Sequence, residues 1–299
     1  MEYCLALSQG TSLADVDRMT PGDFSHRVVL SLGENTLVRP HEVASLAAFR
    51  SVAFEVLGRM RPVLMSKTEV VVTHGNGPQV GNMLAHSESA RAMSYPLTLD
   101  RGVAAAQGEI GDILASALRT IVEGSRSVAV LLTHVRVDAD SAGRGFRRGV
   151  ASAEPLEILD VDVIRQLVES KVIAIAGGGG GIPVVVEGDR PRHVEAIIEK
   201  DLTSALLADA IDADRLVIVT DVPCAYMNFG TARPTRIDTI QVDKLQALLA
   251  EGHFAPGSMA PKVESCVRFV RDRNRRAIVV DPQGLPLALK GEAGTQVVF

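Results

Sequence analysis

Cysteine is scarce in this 299-residue chain: Cys4, Cys224 and Cys266 stand far apart, with no CxxC pair and no histidine at zinc-ligand spacing. That excludes a disulfide framework or a protein-ligated metal knot and fits a reducing compartment, the cytoplasm. An excess of positive charge is also missing. Lys and Arg number 31 against 36 for Asp and Glu, a formal net charge of -5. Without a basic footprint to neutralise phosphate backbones, nucleic acid is excluded as the main partner. No apolar run reaches membrane length. The least polar stretch, Val172 to Val186, is shorter than the roughly 20 residues a spanning helix needs, and five glycines interrupt it. Leu5-Ala6-Leu7 has no Lys or Arg before it, which argues against a secretory signal.

What is present suits a large packed core, since 46% of the residues are hydrophobic and 22% are charged. Residues 1–25 show neither periodicity and read as an extension. After them, β-branched runs alternate with helical spacing. Strands are expected at Arg27 to Leu32, Glu69 to Thr73, Ser127 to Thr133 (buried), Lys171 to Ala176, Leu216 to Thr220 and Ala277 to Val280. Helices are expected at Glu42 to Leu57, Gln79 to Arg91, Val103 to Val122, Val161 to Glu169, Asp201 to Ala210 and Ala260 to Asn274. Apolar strands separated by helices indicate an α/β protein, a mainly parallel sheet with helices on both faces.

Glycine breaks follow the expected strands at Gly33, at Gly75-Asn76-Gly77 and at Gly177 to Gly181. In open parallel sheets, ligands bind beyond the carboxyl ends of the strands. Glycine loops there expose backbone N–H groups of the kind a polyphosphate needs. The known nucleotide motifs nevertheless fail. GxGxxG from Gly177 would need glycine where Ile182 stands, no lysine follows a glycine as a Walker A loop requires, and no GxSxG elbow occurs. Of the six lysines, Lys200 and Lys262 each open an expected helix. There an ammonium and the helix N-terminus attract phosphate together.

Five ordered segments carry a family resemblance: Thr73 to Gly81, Ala176 to Val185, Ile198 to Leu207, Val219 to Gly230, and Gly252 to Met259 with Pro261-Lys262. From about His26 onward the chain resembles the carbamate kinases of the amino acid kinase superfamily. The resemblance implies a three-layer α/β/α sandwich at residues 26–299, with an acceptor lobe at about 26–170 and a nucleotide lobe at about 171–299. It implies phosphoryl transfer between ATP or ADP and carbamate or a related small acceptor, with Mg2+ carried on the ATP phosphates, in a homodimer. It further implies that Lys200, Asp201, Lys262 and Asn76 are catalytic. Gly33, Glu34, Asn35, Gly75 and Gly77 would meet the acceptor and the migrating phosphoryl group. Gly178, Gly179, Gly180, Asp221, Tyr226, Phe229 and Met259 would bind nucleotide, although ordinary core packing also accounts for the aromatic pair.

The departures from the family weigh on the acceptor half, although Ala106 to Asp112 lacks a hydroxyl and an aromatic, Pro223 replaces an acidic residue and Ala260 replaces a glycine beside Lys262. Glu34 stands where the family has a glycine, so a carboxylate enters the first loop. Val137 to Ala142 leads almost directly to Gly143-Arg144-Gly145-Phe146-Arg147-Arg148, without the protruding subdomain and acceptor-binding lysine the family inserts there. Three readings follow: a working carbamate kinase, a kinase for an amine- or guanidine-bearing acceptor, or a nucleotide-binding protein without turnover in which Glu34 pairs with Lys200 or Lys262. Arg144, Arg147 and Arg148 read either as a replacement anion clamp or as solvated surface. Arg271, Arg273, Arg275 and Arg276 read as a helix end, with no catalytic role.

Overall fold

The alternation of side chains along a strand decides the architecture. In β1 (Arg27–Leu32), Val28, Leu30 and Leu32 belong to one buried apolar cluster and Val29 to a second. A strand with apolar residues on both faces requires cover on both faces. The structure is a computed structural model describing residues 26–37, 45–139, 152–188, 190–231, 233–271 and 273–299. The extension 1–25, the arginines at 144, 147 and 148, and the first residues of the helix expected from Glu42 lie outside these.

Along the described chain, α1 (Leu46–Gly58) and α2 (Arg61–Met65) lead to β2 (Glu69–His74), α3 (Gly77–Ser89), α4 (Leu99–Val122) and β3 (Val128–Val130). Then come β4 (His134–Arg136), β5 (Glu157–Ile158), α5 (Val161–Glu169), β6 (Ile173–Ile175), β7 (Ile182–Glu187), β8 (Arg190–His193) and α6 (Lys200–Ala210). The remainder is β9 (Arg215–Val219), β10 (Tyr226–Met227), β11 (Thr235–Arg236), β12 (Thr239–Gln241), α7 (Val242–Ala250), α8 (Met259–Val270), β13 (Arg276–Val280), α9 (Leu285–Lys290) and β14 (Thr295–Val298).

The main sheet has eight strands in the order β12-β14-β13-β9-β1-β2-β6-β3, and only the β13–β14 pairing is antiparallel. Helices α1, α2, α4 and α9 bury one face, and α5, α6, α7 and α8 bury the other. This is the mainly parallel three-layer sandwich that the resemblance implied. A second sheet, β5-β4-β7-β8, and the hairpin β10-β11 stand apart from it.

Three local expectations change. The strand expected at Ser127 to Thr133 is shorter, and it lies at the sheet edge, half-buried rather than buried. After Val130 the chain leaves the main sheet and enters the second one at His134. Helix α8 stops at Val270, so Arg273 and Arg275 follow the helix and pair with Asp209 and Asp212 instead of capping it.

Register positions the site. Leu32 is level with His74 on one side and Val219 on the other, so three parallel strands end together. The Gly33 N–H donates to Val219 O at 2.9 Å, and the Gly75 N–H to Leu32 O at 3.0 Å. Their following loops therefore open at one level, beside the Gly177–Gly181 run that follows β6.

Candidate active site

Beyond these strand ends is a cavity of about 270 Å³. Its wall combines Gly33, Glu34 and Asn35 after β1, Gly75, Asn76 and Gly77 after β2, and Gly179 and Gly181 after β6. Glu199, Lys200 and Asp201 at the start of α6, Thr220 and Asp221 after β9, and Lys262 of α8 add to its polar lining.

The centre is one carboxylate shared by two ammonium groups. Lys200 Nζ is 2.5 Å from Asp201 Oδ1, and Lys262 Nζ is 3.0 Å from Asp201 Oδ2. Lys200 also donates to Ser31 Oγ at 2.5 Å, and Ser31 donates to Asp201 Oδ1 at 3.0 Å. Ser204 and Thr73 extend the hydroxyl chain behind them. Asp201 is 1% exposed and Lys200 9%. Burial would raise the Asp201 carboxyl, but Lys200 and Lys262 outweigh it and hold the group at about 2. Burial pulls the Lys200 ammonium down, aided by repulsion from Lys262. Burial also opposes the Lys262 charge, but Asp201 raises it. Glu199 is raised by burial and then by neighbouring Asp201. A like-charged pair this close persists because the shared carboxylate screens it.

The glycine run serves packing as well as access. A Cβ on Gly178 would lie 2.4 Å from the His74 ring, and one on Gly179, at φ 61°, 1.9 Å from Asn76 Nδ2. A Cβ on Gly180 would lie 2.4 Å from Ile198 O. His74 is wholly buried there, and burial lowers it to about 4, so the ring is neutral. Asn76 is 8% exposed, and its Nδ2 has no hydrogen-bond partner.

Glu34 makes no ion pair with Lys200 or Lys262. Its Oε2 accepts instead from the N–H of Gly77, the first residue of α3, at 3.1 Å. Asn35 Nδ2 reaches Asp221 Oδ2 at 3.4 Å.

Most of the residues expected at the site from sequence thus share one wall. Gly178 and Gly180 lie behind it. Tyr226 and Phe229 pack together, with ring centroids 5.9 Å apart, and Met259 packs against the second core cluster, all three away from the cavity wall. Ser31, Glu199, Ser204 and Thr73 were not among the expected site residues. Ser31 is the sole hydroxyl in Val28-Val29-Leu30-Ser31-Leu32, a signal the sequence did contain.

Lysines and glycine loops at the carboxyl ends of parallel strands suit phosphoryl transfer, and the sequence model of the amino acid kinase family matches residues 27–281. The chain belongs to that family and, within it, to the carbamate kinase family. The carbamate kinase of Pyrococcus horikoshii is 34% identical over 309 residues, covering 91% of this chain and 98% of its own. The carbamate kinase-like protein YahI of Escherichia coli is also 34% identical, with the same coverage of each chain. The carbamate kinase of Giardia lamblia bound to AMP-PNP superposes with a TM-score of 0.85 at 30% identity, over 92% of this chain and 99% of that one. The protein is accordingly a carbamate kinase-like, ATP-dependent phosphotransferase. Among the described residues, no helix is long and apolar enough to cross a membrane.

Proposed function

We propose that this cavity moves a phosphoryl group between ATP or ADP and a small oxyanion of the carbamate type, in a cytoplasmic homodimer with an acceptor half at residues 26–170 and a nucleotide half at 171–299. The observation that carries the reading is the Lys200–Asp201–Lys262 cluster beside three glycine loops. Phosphoryl transfer is mostly positioning and charge neutralisation. Lys200 neutralises the transferring group, and Lys262 the distal phosphates. Asp201 fixes both ammonium groups before substrate arrives, so little reorganisation remains for the reaction step. The unpartnered Asn76 amide and the backbone of Gly75 and Gly77 donate to the acceptor and the migrating oxygens. Gly179, with Gly178 and Gly180 behind it, lets the phosphate chain approach the backbone. Asp221, which lines the cavity, serves the nucleoside side, and Tyr226, Phe229 and Met259, which stand outside its wall, would join it only where the nucleoside extends beyond the cavity.

Mg2+ fits this lining. It takes oxygen ligands, and Asp221 offers a carboxylate that hydrogen-bonds Asn35 and Thr220 but no Lys or Arg among the described residues. Asp221 and the nucleotide phosphates would hold the ion, which when bound withdraws charge from the phosphate oxygens.

A second reading, with an altered acceptor or no turnover, is favoured by Glu34 at the α3 terminus. The P. horikoshii enzyme also aligns over 309 positions, more than this chain has in all, as expected if it carries an internal segment absent here. A coupled ADP/ATP assay with carbamate, alongside calorimetry of Mg-ATP and Mg-ADP, tests the function. Binding of both nucleotides is expected, with carbamate-dependent turnover held low by Glu34. Undetectable nucleotide binding at millimolar concentration, with the protein folded, would sink it.

A further inference from the structure

The acceptor side of the wall contains a seat built around Glu34. Glu34 lies over a notch cut by two glycines: a Cβ on Gly75 would lie 2.8 Å from Glu34 Cβ, and one on Gly77 would lie 2.5 Å from Glu34 Oε2. Neither position admits a larger residue while Glu34 keeps this pose. One carboxylate oxygen is engaged by the Gly77 N–H. The other has no hydrogen-bond or ion-pair partner among the described residues, and the residue lines the cavity. That backbone donor opens the 13-residue helix α3, an end that attracts negative charge.

The rest of the cavity cannot neutralise that charge. Its two ammonium groups are both bound to Asp201. Glu34, Glu199 and Asp221 add further carboxyl groups to the same wall, so acidic side chains outnumber basic ones there. A simple monoanion placed next to Glu34 is repelled. A molecule with an oxyanion at one end and a cation at the other satisfies both neighbours. Its oxyanion meets Asn76, a residue that lines the same cavity and whose buried Nδ2 has no hydrogen-bond partner. Its cation meets the free oxygen of Glu34.

We propose that Glu34 is the specificity-determining residue for the acceptor, and that the acceptor is a small zwitterion: a carboxylate or carbamate oxyanion bearing an ammonium or guanidinium group. The inference rests on the phosphotransferase reading given above. It adds no step to that chemistry. The acceptor oxyanion attacks the terminal phosphorus of ATP, the bond from that phosphorus to the bridging oxygen breaks, and ADP leaves with the electron pair. Glu34 pairs with the distal cation and takes no part in the transfer.

The test uses matched acceptors that differ only in the cation. Glycine, β-alanine and guanidinoacetate are compared with acetate, propionate and N-carbamoylglycine in turn. Two measurements are made: ADP formation from Mg-ATP, and calorimetric binding to the complex with a non-hydrolysable ATP analogue. The cationic member of each pair is expected to bind or react better by about tenfold or more, the effect of one charge-assisted contact. Glu34→Gln should erase that ratio while leaving nucleotide affinity unchanged, and Glu34→Lys should invert it. The proposal is overturned if the matched acceptors show no cation preference, if the preference survives Glu34→Gln, or if no acceptor binds the nucleotide complex at millimolar concentration. It is also overturned if Glu34→Gln changes only the Mg2+ requirement, since Glu34 would then hold the metal. Loss of nucleotide binding in the native protein would instead remove the phosphotransferase reading itself, and the inference with it.

Discussion

The two ends of the cavity solve the same electrostatic problem in opposite ways. At the α6 end, Asp201 satisfies Lys200 and Lys262 inside a nearly dry site, and hydroxyls from Ser31, Ser204 and Thr73 complete the network. At the α3 end, Glu34 is exposed, touches one backbone N–H and leaves Asn76 without a partner. Fully satisfied buried networks are rigid, and partly satisfied ones are where ligands are accommodated. On the function proposed above, the contrast assigns the first end to a constant reactant and the second to a variable one.

The strongest way to break the contrast is Asp201→Asn. It leaves two ammonium groups buried without a counter-ion, and losing one partner of a buried pair costs roughly 3–5 kcal/mol. Urea unfolding should show a loss of that order, together with loss of activity. A change under about 1 kcal/mol would mean that the lysines are solvated and the α6 end is not dry.

Acid tests the same end through His74. The unfolded histidine takes a proton near 6.5, and the folded one only at about 4. The unfolded state therefore binds more protons between those values, and stability falls as pH drops through that window, by about 3 kcal/mol in all. Glu199, whose carboxyl is raised, works in the opposite sense, so the native protein must be compared with His74→Gln. The variant should show a flatter profile between pH 6.5 and 4. An identical slope in the two proteins would place the histidine in contact with water. The linkage of Asp201, whose folded value is depressed, lies lower, between its ordinary 3.8 and about 2.

Lys262→Ala should weaken Mg-ATP binding by about 1.5–3 kcal/mol, the range for a hydrogen bond to a charged group. Calorimetry measures it directly. An unchanged Kd would assign Lys262 to structure alone.

The smallest effect is expected at the open end. Glu34→Gly should raise carbamate-dependent turnover, because it removes a negative charge from beside an anion. Solvent screening at an exposed carboxylate limits the gain to about tenfold. A native rate already ordinary for a kinase, with no gain in the variant, would show that Glu34 faces away from the acceptor.

How legible each part was in the sequence follows its local chemistry. Strands β1, β2, β9 and β13 are unbroken β-branched runs buried on both faces, so composition alone marks them. The second sheet escaped because most of its strands are short or polar, β5 having two residues and β8 reading Arg190-Pro191-Arg192-His193, while the apolar β7 contains Pro183 and follows the glycine run directly. The edge position of β3 depends on where the following segment turns, which no local pattern records. Lys200, Asp201 and Lys262 were legible because lysine is rare here and both lysines open helices. Ser31 showed only as a lone hydroxyl in an apolar run, and its role depends on α6 crossing behind β1. The partner of Glu34 was equally hidden, because a carboxylate in a loop can reach a lysine or a helix terminus with the same sequence around it.

The glycine run after β6 constrains how such a protein can change over time. Each of Gly178, Gly179, Gly180 and Gly181 faces protein atoms closer than a Cβ allows, from His74, Asn76, Ile198 and Val135 in turn. That wall is therefore closed to substitution, and so is the lysine pair that depends on a single carboxylate. The four-residue loop from Gly33 to Thr36 is the part of the rim where a side chain can be exchanged without dismantling a neighbour, and Glu34 and Asn35 are its exposed members. New acceptors in this lineage are then expected to arise from changes at positions 34 and 35, with the reaction centre inherited unaltered.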